Sequence, residues 1–256
     1  MINSTDVNNT KQPLLSIKNG YKYFGGITAL ENVDFEINDQ EILALLGDNG
    51  AGKSTLIKTI SGAYTLDKGD MFFEGKKVSI KKTEDAYKLG IKTVYQDLAL
   101  FDILDVTTNL FAGAEITRWG FLQKKKMQKQ AINVLENLKT TIKSLKQEIR
   151  SLSGGQQHSV AIARGVYIGQ EPKLIIMDEP TAGLGVKQSR EVLKLLSELK
   201  NQLPIIFITH NLDFAFEIAD KVVILSSGRV VGKRLVKDAN KTEIVKMMMG
   251  VEDSPK

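Results

Sequence analysis

Cysteine is absent from this 256-residue chain. That excludes a disulfide scaffold and any thiolate metal site, and it suits a reducing compartment. Long apolar runs are also missing. The longest aliphatic run, Ile42–Leu46, falls far short of the roughly 20 apolar residues of a membrane-spanning helix, so a role at a membrane would need a partner. Residues 1–13 are polar and Asn-rich and offer no apolar core for a signal peptide, so they read as a mobile tail on a cytoplasmic protein. No strong charge bias stands out: the net charge is +5, more like a lysine-rich exterior than a nucleic-acid surface. The one basic cluster, Lys124–Lys126, lies on an expected helix without interleaved aromatics.

What is present is an alternation of short apolar segments with amphipathic ones. Leu14–Lys18, Val33–Ile37 and Glu41–Leu46 read as strands, and Gly52 to Ile60 as a helix. Met71–Phe73 and Lys77–Ile80 flank Glu74-Gly75 as a hairpin, and Lys92–Tyr95 is a further strand. Between Asp97 and Gly165 strand patterns vanish, while Met127–Leu138 and Gly154–Tyr167 carry helical spacing. Strand signals return at Leu174–Met177, Ile205–Thr209, Val222–Leu225 and Arg229–Val231, and a last short helix follows Thr242 and ends by Gly250. The expectation is an α/β fold: a mostly parallel sheet with βαβ units, an antiparallel β part, and an inserted helical subdomain. One unit spans 14–250, with its core from 14–96 and 166–250, its helical insert at 97–165, and a second tail at 251–256.

Gly47-Asp48-Asn49-Gly50-Ala51-Gly52-Lys53-Ser54 matches G-x-x-x-x-G-K-[ST] in full. From average residue frequencies, a chance match in a chain this long has odds of roughly one in a hundred. The glycines let backbone amides wrap a phosphate, and the helix opening at Lys53, Ser54 and Thr55 adds its N-terminal dipole. Lys53 can reach the β- and γ-phosphates, and the Ser54 hydroxyl can ligate Mg²⁺. ATP and Mg²⁺ are thus the expected ligands.

Leu174-Ile175-Ile176-Met177-Asp178-Glu179 is an apolar strand ending in two acids. Parallel sheets gather ligands beyond the carboxyl ends of their strands. There Asp178 can hold the Mg²⁺ shell, and Glu179 can polarise a water toward the γ-phosphate. His210, just after another strand, is expected on the same edge. His158 has no expected catalytic role.

Leu152-Ser153-Gly154-Gly155-Gln156 resembles the LSGGQ signature of ATP-binding cassette ATPases, here with the phosphate loop upstream and Asp178-Glu179-Pro180 downstream. The resemblance covers nearly all of 14–250 and implies a P-loop NTPase core of RecA-like type. It implies that Gln96 touches Mg²⁺ and the attacking water, that Phe24 stacks on adenine, and that His210 is a switch histidine. It further implies a head-to-tail dimer in which Ser153, Gly154, Gly155 and Gln156 meet the ATP of the other subunit. After Pro180 the family often reads Ser-Ala-Leu-Asp, whereas this chain has Ala182-Gly183-Leu184-Gly185. That segment, with Val94–Leu100 and Asn109–Gly113, resembles the ATPases of bacterial monosaccharide importers. The implied partners are a second cassette, an integral membrane permease and, indirectly, a solute-binding protein, with the chain at the cytoplasmic face. Importers of branched-chain amino acids or nucleosides are the alternative. A soluble cassette ATPase acting on DNA or ribosomes is a third reading, disfavoured because neither a coiled-coil insertion nor a second cassette is present in this sequence.

Overall fold

The computed structural model describes residues 12–138 and 142–250. Most of the two expected tails, 1–11 and 251–256, lies outside them. The chain opens with β1 (Leu15–Phe24), β2 (Ile27–Ile37) and β3 (Ile42–Leu46), followed by α1 (Lys53–Ile60). Next come β4 (Lys68–Phe73), β5 (Lys76–Val78), α2 (Thr83–Lys88) and β6 (Ile91–Val94). The middle holds α3 (Val106–Phe111), β7 (Thr117–Arg118), β8 (Phe121–Leu122), α4 (Lys124–Asn137) and α5 (Gly154–Tyr167). The last third runs β9 (Leu174–Asp178), α6 (Val186–Leu199), β10 (Ile205–Ile208), α7 (Leu212–Ile218), β11 (Lys221–Ser226), β12 (Arg229–Leu235) and α8 (Lys241–Met248).

Two large sheets result. One is six-stranded in the order β12-β11-β3-β10-β9-β6. All its neighbours pair in parallel except the edge strand β12. The other is antiparallel, in the order β2-β1-β4-β5. The parallel strands are apolar throughout because both faces are covered: β3 is buried at every position, and so is β10. Alternate residues divide between two cores, as a period of two requires. Ile42, Ala44, Leu46, Met177 and Phe207 face the core that includes α3 to α6. Leu43, Leu45, Ile176, Ile206 and Ile208 face α1 and the antiparallel sheet, where Leu15, Ile17 and Phe35 are buried. The expected hairpin at Glu74-Gly75 has positive φ at both residues, 50 and 73, the requirement of a two-residue turn of this twist.

Several boundaries differ from the sequence reading: β2 begins at Ile27, β4 at Lys68, and β12 runs on to Leu235. The first strand runs on to Phe24, and β5 stops at Val78. The helix expected from Met127 begins at Lys124, because lysines are good helix formers that carry no apolar period. The 97–165 region is not purely helical: β7 and β8 form a small hairpin, with strands too short to show alternation.

Candidate nucleotide site

Parallel register brings the chemistry-bearing residues to one sheet edge. Ile208 pairs with Leu45 on one side and Asp178 on the other, while Met177 pairs with Val94. Gly47, Glu179, His210 and Gln96 therefore all lie within two residues of that edge. These four come from segments as distant as Gly47 and His210, and only the sheet unites them.

The phosphate loop is shaped by its glycines. Gly47 has φ 153, and a Cβ there would lie 2.4 Å from the Leu225 carbonyl oxygen. Gly52 has φ 102, and a Cβ there would lie 2.9 Å from the Ala29 oxygen. α1 then starts with no side-chain cap and no acid in its first turn. By contrast α3, α5, α7 and α8 are capped by Asp105, Ser153, Asn211 and Asn240. An uncapped first turn leaves amide donors for an anion. Lys53 Nζ donates to the Gly47 and Asp48 carbonyls at 2.6 and 3.0 Å, folding over its own loop. Burial holds its pKa below the usual lysine value, against the pull of Glu179, Asp48 and Asp178. Asp48, Asn49, Gly50 and Ser54 are exposed, Ala51 is buried, and Thr55 is half-buried.

Ile27, Thr28 and Ala29 of β2 and Gly228 close one side of this cleft. Sequence reasoning missed them. Gly228 donates to Ala51 O at 2.9 Å and accepts from Glu31 N at 2.8 Å, so it stitches the loop to β2. Its only sequence signal is the Ser227-Gly228 turn pair. Phe24 lies beside the cleft. It sits across the hairpin from Ile27 and packs edge-on against Tyr64, ring centroids 5.0 Å apart.

Glu179 has φ 48, a conformation that strains a non-glycine residue. Its Oε1 accepts from His210 Nδ1 at 3.0 Å. Glu179 is 15% exposed and His210 73%. Because a carboxylate only accepts, the imidazole proton lies on Nδ1. Nε2 then carries the lone pair in the neutral ring. Asp178, one residue earlier, makes no salt bridge among the described residues. Burial and the neighbouring Glu179 raise its pKa, while Lys53 and Lys58 oppose the rise. No group of three His, Cys, Asp or Glu positioned for a metal exists among the described residues. A cation held by Asp178, Ser54 and Gln96 would draw its other ligands from phosphate and water. Mg²⁺ suits that oxygen donor set.

Gln96 is exposed just past β6, and the segment after it is held in place. Arg164 of α5 donates to the Leu98 and Ala99 carbonyls at 2.7 and 2.9 Å. Fully buried Asn109 accepts from Phe101 N at 2.7 Å and donates to three carbonyls of 101–105. Ser153 and Gln156 cap α5 reciprocally: Ser153 Oγ accepts from Gln156 N at 3.3 Å, and Gln156 Oε1 from Ser153 N at 3.0 Å. The serine O–H stays available to donate outward. Gly154 abuts Leu184, whose Cδ2 would lie 2.8 Å from a Cβ.

Known proteins resemble this chain over most of its length. The family described as "ABC transporter" matches residues 30–182. The xylose/arabinose import ATP-binding protein of Sulfolobus acidocaldarius is 45% identical over 92% of this chain and 93% of its own. The fructose import ATP-binding protein of Rhizobium meliloti is 42% identical over 96% and 97%. The ribose import ATP-binding protein of Yersinia pestis is 37% identical over 94% of this chain but 47% of its own. Among solved structures, an ATP-binding cassette of an ABC transporter in its ADP conformation superposes with a TM-score of 0.79 at 28% identity, covering 93% and 95%. A dimeric post-hydrolysis cassette bound to ADP and Pi gives 0.73 at 26%, covering 87% and 98%. The chain belongs to the ABC transporter family, as one of its ATP-binding cassette ATPases.

Proposed function

We propose that this chain is the ATP-hydrolysing subunit of a monosaccharide importer, with residues 14–250 acting as one cassette. The observation that carries hydrolysis is the Glu179–His210 pair at the sheet edge that ends beside the phosphate loop. The cargo class is supported by the xylose/arabinose and fructose relatives, which match this chain almost end to end.

In this reading the amides of the Gly47–Thr55 loop and the start of α1 hold the phosphates of ATP. Lys53 exchanges its two loop carbonyls for β- and γ-phosphate oxygens, and the partly buried ammonium gains a partner that burial denies it. Asp178, Ser54 and Gln96 would hold the Mg²⁺ shell, and the bound metal would supply charge neutralisation on the phosphates. Glu179 holds and polarises the attacking water. His210 keeps that carboxylate aimed. Phe24 stacks on adenine at the hairpin tip. Ser153, Gly154, Gly155 and Gln156 reach the nucleotide of a second cassette packed head to tail.

No helix among the described residues is long and apolar enough to cross a membrane. The pinned loop after Gln96 exposes Phe101 and Ile103 at 55% and 70%. That patch suits docking to an integral permease at the cytoplasmic face, with a solute-binding protein beyond it. Co-purification with the permease, then ATPase assay in liposomes with binding protein, tests the proposal. Monosaccharide should stimulate turnover. Stimulation only by a branched-chain amino acid or nucleoside would reassign the cargo. Absence of any co-purifying membrane protein, with stimulation by nucleic acid, would sink the importer reading.

A further inference from the structure

The β7–β8 hairpin carries its apolar side chains into solvent. Trp119 is 86% exposed, Phe121 76% and Leu122 50%. Trp119 and Gly120 make the turn with φ 56 and 81. That left-handed conformation suits Asn or Gly and strains a bulky residue. Among the described residues, Trp119 makes no ring stacking or cation contact that would compensate. Neither packing nor turn geometry accounts for a tryptophan at this tip.

One residue past the hairpin, α4 opens with Lys124, Lys125 and Lys126, all exposed, and Lys129 is exposed a turn later. Gln123 N donates to Ile116 O at 2.8 Å, which pins the helix start to the base of the hairpin. Arg118 adds a fifth positive charge. The only acid between 115 and 130 is Glu115, whose carboxylate accepts from Gly113 N at 3.0 Å. None of the five cations makes a salt bridge among the described residues. The nearest further acid on α4, Glu136, lies about two turns beyond Lys129.

We propose that the β7–β8 tip and the first turns of α4 form a contact site for an anionic lipid surface. Trp119, Phe121 and Leu122 enter the headgroup boundary, and Lys124, Lys125, Lys126, Lys129 and Arg118 meet lipid phosphates. Exposed aromatic and aliphatic side chains bordered by lysines are the composition that settles at a bilayer interface. Charge opposes a symmetric contact with a second copy of this chain, since two patches of five cations would face each other. Single-stranded nucleic acid also takes bases and lysines. It calls for stacking platforms spaced along a groove, and here the two aromatics share one tight turn. The contact belongs to the cassette itself and stands whatever the cargo is.

Trp119 is the chain's only tryptophan, so its emission reports on the tip directly. The purified full-length chain is mixed with phosphatidylglycerol-containing vesicles or with phosphatidylcholine vesicles alone. The expected result is a blue shift and co-sedimentation with the anionic vesicles only, reversed by added salt. The triple variant Lys124→Gln, Lys125→Gln, Lys126→Gln should bind about a hundredfold more weakly, at about fivefold per charge. Trp119→Ala, followed by co-sedimentation, should weaken binding about tenfold. Both variants should hydrolyse ATP like the parent, which verifies folding. The proposal is overturned if anionic vesicles neither shift the emission nor sediment the protein, or if the triple variant binds them as the parent does. It is equally overturned if a single-stranded oligonucleotide shifts Trp119 emission and displaces the vesicles.

Discussion

A carboxylate that has to meet a histidine on the next strand cannot simply continue its own strand. At Glu179 the backbone enters φ 48, and the turn closes with Ala182 N donating to Glu179 O at 3.0 Å. The strain persists because the His210 contact and the flanking parallel strands fix the turn. If Glu179 polarises the water, Glu179→Gln should slow hydrolysis by roughly 10²–10⁴-fold, about 3–5 kcal/mol of barrier. Titration calorimetry should find ATP affinity retained, while Lys53→Ala should lose it. Near-normal turnover of Glu179→Gln would remove that residue from the mechanism. Asp178 makes a separate prediction. Its carboxyl is raised in the folded chain, chiefly by burial and then by Glu179. Below the unfolded-state pKa the group is protonated in both states and folding is unaffected by its charge. As pH rises through the folded value, ionisation in the buried site removes stability. At neutral pH, Asp178→Asn should therefore melt higher than the parent without nucleotide, by roughly 1–3 °C, and the difference should vanish in acid. A lower melting temperature at neutral pH would show that the carboxylate is stabilised in a way burial does not describe.

Among the helices, α6 starts where its family often places an aspartate and this chain has Gly185. Gly185 has φ −68 and ψ 161, open to any residue, and its nearest neighbour to an added Cβ is Gln188 Oε1 at 3.9 Å. Gly185→Asp should therefore cap α6 and restrict the unfolded chain, raising stability by roughly 0.5 kcal/mol in denaturant titration. A loss instead would show that the aspartate does not cap α6 and disturbs the turn before it. The comparison with α1 shows what sequence could and could not reveal. The uncapped start of α1 is written into consecutive residues, Gly50 to Ser54, and so is the Glu74-Gly75 turn. The convergence of Gly47, Asp178, Glu179 and His210 was legible too, because each follows an apolar strand and parallel sheets collect strand ends at one edge. Gly228, Ile27 and Ala29 were not, since their role is a contact between segments some 200 positions apart with no local periodicity to mark it. The β7–β8 strands, two residues each, hold a single repeat of the two-residue pattern, too little to identify them.

For the whole molecule, α1 opens uncapped at the phosphate loop while α5 opens at the capped Ser153 segment, and the proposal pairs these two helix starts across a dimer. A head-to-tail pair would join each to its counterpart. Lys53→Ala and Ser153→Arg should each be nearly inactive alone, because every site in either homodimer carries one lesion. Mixing them leaves one intact site per mixed dimer, so hydrolysis should recover toward half of the parent rate if the sites act independently. Mixed dimers that form, bind ATP and stay inactive would contradict independent shared sites. Arg164 gives this geometry a mechanical meaning. It stands on the helix that Ser153 opens, and its guanidinium holds the Leu98 and Ala99 carbonyls just past Gln96. Two hydrogen bonds thus tie the segment after Gln96 to the helix that Ser153 opens, and if the first meets nucleotide and the second another cassette, as proposed, this link would couple the two. If a permease docks as proposed, thermodynamic reciprocity applies: the factor by which it alters ATP affinity is the factor by which ATP alters permease affinity. Arg164→Ala should bring that factor toward one while each ligand still binds alone. An unchanged factor, measured by titrating ATP with and without the permease, would show that the signal crosses by another route.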